Sequence, residues 1–300
     1  MRIAVTGGTG FIGKRLTALL LERGHDLLLV GRHEAGSAPS DRLSFHAADL
    51  ADPGSYLARL TDYRPEAACH LAWEGIPDFS ASRCERNRAQ GTAFLDAALG
   101  LPSCRRAIAA GSCWEYGMRQ GACLEEDPGV PADDFTRAKD ALRRHGLARA
   151  AQAGKTFGWF RIFYVYGPGQ REGSLVPSII STLRDGREFT PKNPASAQDF
   201  IYVDDVAEGL ARGLERKWPS GSFNLGSGSL TSVTAIAQMI SSLMNRSASI
   251  LKADFYTSKG NLSGFWASLD RVQRHLDWKP PVGIEEGLRK TLAAFTPDSP

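Results

Sequence analysis

Apolar residues in this chain fall into two patterns, compact runs and longer stretches with an apolar residue at every third or fourth position. The runs Ile3–Val5, Leu27–Val30, Leu43–Ala47, Ala67–Ala72, Ala107–Ser112 and Thr156–Val165 read as strands. Phe11–Leu21 and Cys84–Leu99 carry the helical period, as do Leu175–Leu183, Val206–Leu214 and Ser232–Leu243. Asp52-Pro53 is a helix start, a capping side chain followed by proline at the first helical position. Phe189-Thr190-Pro191 reads as one more short strand, and Phe223–Leu225 as another. Strands alternating with helices predict an α/β chain built on a doubly wound parallel sheet.

Its first strand and helix are joined by a glycine turn, Gly7, Gly8, Gly10 and Gly13. Gly7 and Gly10 can take positive φ and have no Cβ, so a pyrophosphate can approach the backbone. The helix N-terminus behind them faces that anion with free N–H groups and a positive dipole end. Gly13 allows close helix packing. Strand, glycine turn, helix and second strand within about thirty residues form the βαβ unit of a Rossmann-type dinucleotide-binding fold. The residue after the second strand selects the cofactor: an acid holds the ribose hydroxyls of NAD, an arginine the 2′-phosphate of NADP. Gly31-Arg32-His33 stands there, with no acid. Arg32 thus favours NADP(H), with NAD(H) the alternative.

Composition narrows the remaining classes. The 300 residues, 42% hydrophobic and 23% charged, suit a soluble globular chain with one large core and a smaller lobe. A net charge of +3 is too small to argue for nucleic acid. Arg137, Arg143, Arg144 and Arg149 read as a solvated helix face. The five cysteines are odd in number and contain no C-x-x-C pair, which points to reduced thiols in a cytoplasmic protein and to no metal site. With a strand starting at residue 2 no signal peptide is expected, and no apolar run approaches a membrane span.

The segment TGGTGFIG, residues 6–13, resembles the extended short-chain dehydrogenase/reductase family, the NAD-dependent epimerase/dehydratase group. The resemblance runs along the chain: the H-L-A end of Ala67–Ala72, GTAFLDAA at 91–98, AIAAGSCWEYG at 107–117, QDFIYVDD at 198–205, FNLGSG at 223–228, and LDWKP followed by GIEEGL at 276–288. It implies a Rossmann domain over residues 1–165, rejoined by 198–222, and a substrate lobe from 166–197 and 223–300. It also implies cofactor contacts from Gly7, Gly10, Phe11, Ile12, Gly13, Asp49, Leu50, Leu71, Ala72, Lys139 and Tyr164, and a homodimer. Ser112 and Tyr116 take the places of the catalytic serine and of a tyrosine lining the substrate pocket. Asp49 could equally be a plain turn aspartate. His70 reads as a packed strand residue and Cys113 as a small packing residue. Asp204 and Asp205 read as helix caps.

Several positions depart from the family pattern. Its Y-x-x-x-K helix pairs a proton-transferring tyrosine with a lysine one turn later. Here Lys139 matches and Phe135 stands in the tyrosine's place. Tyr116, Glu115 and Ser112 are the candidate replacements, Tyr116 first among them. Arg88 replaces an expected asparagine, with Asn87 one position early, and Tyr164 replaces another. The arginine that contacts a nucleotide diphosphate is Gln198, a second arginine expected before the final helices has only Lys259 nearby, and Arg171 or Arg184 could substitute. The resemblance implies NADP(H)-dependent chemistry on a nucleotide sugar, with reduction of a keto-sugar first. The alternatives are a ketoreductase of another carbonyl metabolite and a non-catalytic cofactor-binding protein.

Overall fold

A computed structural model describes residues 1–33, 41–191, 196–246 and 262–295. Seven strands among them form one parallel sheet: β1 (Arg2–Thr6), β2 (Asp26–Gly31), β3 (Leu43–Ala47), β4 (Ala67–His70), β5 (Arg106–Ser112), β6 (Thr156–Ile162) and β7 (Gly221–Leu225). Their order is β3-β2-β1-β4-β5-β6-β7. It reverses between β1 and β4, so the strand ends there open a crevice. The central strands are buried on both faces, which is why they read as unbroken apolar runs.

Alternate residues of each strand feed two cores. Ile3, Val5, Leu27 and Leu29 face α1 (Phe11–Glu22), α6 (Val203–Glu215) and α8 (Asp270–Leu276), meeting Leu16, Leu20, Leu210 and Leu276. Ala4, Leu28, Val30 and Trp159 face α2 (Leu57–Tyr63), α3 (Ala81–Gly100) and α4 (Asp134–Gln152), meeting Leu60, Phe94, Leu95 and Leu142. A third core joins α5 (Leu175–Arg184), α7 (Val233–Leu243) and α9 (Ile284–Ala293) around Tyr166, Phe200 and Tyr202.

Some expectations change. Phe200–Tyr202 pairs with Tyr164–Tyr166 in a separate two-stranded sheet, and Gly221–Leu225 is the segment that rejoins the large sheet. The expected boundary between 222 and 223 therefore falls inside β7, and α8 packs on the sheet core. Phe189, Thr190 and Pro191 lie outside any strand, since no partner strand runs beside them among the described residues. α6 begins at Val203, so Asp204 and Asp205 are first-turn residues rather than caps. Asp204 pairs with Arg15 of α1, and Asp205 accepts the Val282 N–H at 3.2 Å. The five cysteines are buried and unbridged. No helix among the described residues is long and apolar enough to cross a membrane. Lys259 lies outside the described residues.

Candidate active site

The crevice where the strand order reverses holds a cleft of about 230 Å³. Its floor is the glycine turn. Gly7 has φ +73°, and a Cβ there would lie 2.5 Å from the Ala72 nitrogen. A Cβ on Gly13 would lie 2.0 Å from the Gly7 oxygen, so this glycine sets how closely α1 approaches the turn. Gly10 differs from expectation: it is the N-cap of α1 with φ −77°, within reach of any residue. Its requirement is space, because a Cβ would sit 3.3 Å from the Gly7 oxygen. Phe11 and Ile12 point their side chains into the lobe core, leaving their backbone N–H groups in the first turn of α1 to face an anion. The turn without side chains and the helix end behind it fit a dinucleotide pyrophosphate.

Leu50, Leu71 and Ala72 line the same cleft, as does Asp49. Asp49 also accepts the Ala51 N–H at 2.9 Å, so it serves the turn as well. Arg32 lines the mouth, but its guanidinium is paired with Glu74 at 3.0 Å. Glu74, Trp73 and Gln90 complete the lining. Trp73 and Glu74 come from the loop after β4 and Gln90 from α3, and none of the three is marked by the sequence pattern. The course of that loop and the packing of α3 bring them to one cleft.

The far end of the crevice is built on α4. Asp133 caps it through the Thr136 N–H at 2.7 Å, and the helical repeat then aligns Phe135 with Lys139. Lys139 is buried and donates to the Ala110 oxygen of β5 at 2.8 Å. The Trp73 ring centre lies 4.0 Å from its ammonium. Burial lowers the Lys139 pKa to about 8, a shift opposed by Glu115 and Cys84. Phe135 packs among Trp73, Phe79 and Trp114 at ring separations of 5.2, 4.9 and 6.0 Å. Ser112, two residues beyond Ala110, is half-buried at the end of β5, and its Oγ accepts the Trp114 N–H at 3.2 Å.

The proposed replacements for the missing hydroxyl are placed very differently. Tyr116 is buried in the core, donates to Asn224 Oδ1 at 2.8 Å, and has the Arg161 guanidinium over its ring at 4.4 Å. Burial pushes its pKa well above the ordinary phenol value. Its hydroxyl is thus already held by Asn224 in the interior. Glu115 is equally engaged: its carboxylate accepts from the Ser112 N–H at 2.8 Å, Trp159 Nε1 at 2.9 Å and Arg161 Nε at 3.1 Å. Tyr164, expected at the cofactor, brings its hydroxyl to within 3.0 Å of Trp114 Nε1, next to the Phe135 cluster. Burial raises its pKa to about 12. Gln198 lies in a two-residue ladder opposite Thr231, and its amide donates to Ser196 Oγ at 3.4 Å. Arg184 donates to the Phe295 oxygen at 3.4 Å. His70 shares a proton with Thr6 Oγ1 at 2.7 Å and stacks on Phe94; burial holds its pKa near 3, so the imidazole is neutral. Asn87 clamps the Glu74 backbone from both sides.

Comparison with known proteins agrees with this geometry. The model of the NAD dependent epimerase/dehydratase family matches residues 3–226. The chain belongs to that family. Family members are enzymes of the extended short-chain dehydrogenase/reductase type, and the resemblance read from TGGTGFIG holds across the sheet. A UDP-glucose 4-epimerase of Mycolicibacterium smegmatis is 27% identical, over 98% of this chain and 98% of its own. The dTDP-6-deoxy-L-talose 4-dehydrogenase (NAD(P)(+)) of Kitasatospora kifunensis is 26% identical, over 98% and 95%. The solved structure of MoeE5 with UDP-glucuronic acid and NAD is 26% identical over 98% of this chain and 99% of that one, with a TM-score of 0.83.

Proposed function

We propose that this protein transfers hydride between a nicotinamide dinucleotide and a nucleotide sugar, in the direction of keto-sugar reduction. The observation that carries this reading is the convergence of the glycine cradle, Lys139 and Ser112 on one sheet edge, with no hydroxyl at Phe135. A dinucleotide held by the cradle supplies the hydride. In this reading Ser112 Oγ hydrogen-bonds the substrate carbonyl, and the Lys139 ammonium adds positive charge beside it. Hydride addition to a ketone leaves an alkoxide, which takes a proton readily from Ser112, Lys139, Tyr164 or water. The same group, deprotonated, takes the proton back when an alcohol is oxidised; Glu115 is fully hydrogen-bonded, His70 is buried and Phe135 has no proton to exchange, so the transfer falls to Ser112, Lys139, Tyr164 or water. The relative named as a dTDP-6-deoxy-L-talose 4-dehydrogenase supports a sugar carbon as the reacting centre, as do those named 4-epimerases. The buried free thiols support a cytoplasmic protein, and the paired outer helices α3 and α4 are the surface proposed for a homodimer.

Gln198 favours one alternative, a ketone without a diphosphate, because a neutral amide gives no charge to a phosphate. The test is consumption of NADH and NADPH with a panel of UDP- and dTDP-linked keto-sugars beside simple ketones. Turnover of a nucleotide-linked ketone is expected. Turnover of simple ketones alone moves the assignment to the second reading. Cofactor binding without turnover on any carbonyl makes the protein a non-catalytic binder. In the same assay Phe135→Tyr should speed ketone reduction by about 10²-fold, the typical worth of a positioned acid–base group, and the reverse alcohol oxidation by the same factor.

A further inference from the structure

The adenosine end of the cleft contains a carboxylate that does not come from the strand expected to supply it. β2 ends in Gly31-Arg32-His33 and offers no acid. Glu74, from the loop after β4, lines the same cleft from the opposite wall. Its Oε2 meets Arg32 Nη1 at 3.0 Å, and its Oε1 meets Arg83 and Arg86 at 3.4 and 3.9 Å. Arg83 also approaches Asp78 at 3.4 Å. His33 and Asp49 are the other titratable residues lining this cleft.

The two members of the Arg32–Glu74 pair are not equally fixed. The Glu74 side chain is 14% exposed and that of Arg32 58%. Asn87 accepts the Glu74 N–H at 2.7 Å and donates to the Glu74 oxygen at 3.0 Å. Asn87 is itself buried and also donates to the Arg83 oxygen at 2.9 Å. The carboxylate is thus presented by a rigid loop, and Arg32 is the partner free to move. This changes what Arg32 can do. Its charge is already answered by Glu74, and a 2′-phosphate binding there would have to displace a carboxylate and remain beside it. A ribose with free 2′- and 3′-hydroxyls meets the opposite situation, an acceptor fixed in place.

We propose that Glu74 is the cofactor-selectivity residue of this cleft, doing from the β4 loop what an acid at the end of β2 does elsewhere, so that the protein prefers NAD(H) to NADP(H) with Arg32 as the counter-ion of Glu74. The inference rests on the reading that the cleft takes a nicotinamide dinucleotide, and it reverses the preference that Arg32 alone implies.

The test is equilibrium binding of NADH and NADPH to the full chain stripped of nucleotide, with no substrate present. Wild type should bind NADH about tenfold more tightly. Glu74→Gln keeps the shape and removes the charge, which frees Arg32 for the 2′-phosphate. It should move the ratio about tenfold or more toward NADPH. Glu74→Asp should keep the wild-type preference, and Arg32→Ala added to Glu74→Gln should cancel the gain in NADPH binding. Glu74→Ala offers a second deletion of the charge should the glutamine variant fold poorly. Tighter NADPH binding by wild type, or an unmoved ratio in both Glu74 variants, overturns the inference and leaves the dinucleotide reading intact. Failure of either dinucleotide to bind wild type overturns that reading and the inference with it.

Discussion

Lys139 holds an ammonium between the Ala110 carbonyl and the Trp73 ring, almost out of contact with water. Burial disfavours its charged form and brings its pKa from the ordinary 10.5 to about 8. The consequence for stability has a definite sign. Between about pH 8 and 10.5 the unfolded chain binds this proton and the folded chain does not, so the Lys139 contribution to stability rises with pH across that window. Below pH 8 the full cost of burying the charge is present. Activity runs the other way, because the ammonium is the useful form. We expect kcat/KM to fall about tenfold per pH unit above pH 8, and Lys139→Met to be nearly inactive while losing the alkaline rise in stability. A pH–rate profile flat to pH 10 would show that the lysine charge plays no part. Phe135, one helical turn before Lys139, closes an aromatic cluster with Trp73, Phe79 and Trp114, and its ring has no proton to exchange.

At the scale of elements, the cradle depends on α1 meeting the first turn without side chains between them. A Cβ on Gly13 would lie 2.0 Å from the Gly7 oxygen and 2.7 Å from the Gly8 Cα, both backbone atoms that cannot rotate away. Gly13→Ala must push the helix N-terminus off the turn. We expect it to cost about 1–3 kcal/mol of stability, the range of overpacked cores, and to weaken dinucleotide binding by more than about tenfold. Denaturant unfolding and a binding titration check both, and unchanged affinity would mean that the helix N-terminus does not hold the phosphates. α4 shows the complementary device: a capping box between Asp133 and Thr136 fixes where the helix starts, and so fixes the Phe135–Lys139 face against β5.

Across the whole molecule, a buried polar network ties the sheet to the segment that leads into the lobe. Glu115 and Arg161 meet at 3.1 Å with side chains 1% and 2% exposed. Arg161 reaches the Glu125 oxygen at 3.4 Å, the Glu125 carboxylate accepts the Asn224 N–H at 3.0 Å, and Asn224 binds both Tyr116 and the Cys123 oxygen. Residues Gly121–Cys123 then pair with Phe265–Ala267. Removing one charge leaves the other buried without its counter-ion. Glu115→Gln should therefore destabilise the fold by about 3–5 kcal/mol. Chemical denaturation measures this, and a loss under about 1 kcal/mol would mean that water or another group already neutralises Arg161.

The sheet and its cradle were legible in the sequence because their information is local. Doubly buried strands show as apolar runs, helices as a three-to-four-residue period, and the glycine turn as residues whose missing Cβ has one use. Lys139 and Phe135 were legible for the same reason, being one helical turn apart. What lay beyond the sequence was every contact set by residues distant along the chain. Tyr116 follows Ser112 by four residues yet turns its hydroxyl to Asn224 in the interior, because the turn after β5 sends its side chains in different directions. Arg32 reads in the sequence as a lone cation, and only the fold shows the loop after β4 placing Glu74 against it. The chain order of residues determines periodicity, caps and turns; which side chains face one cleft is decided by how separate strands lie beside each other, and that only the tertiary structure supplies.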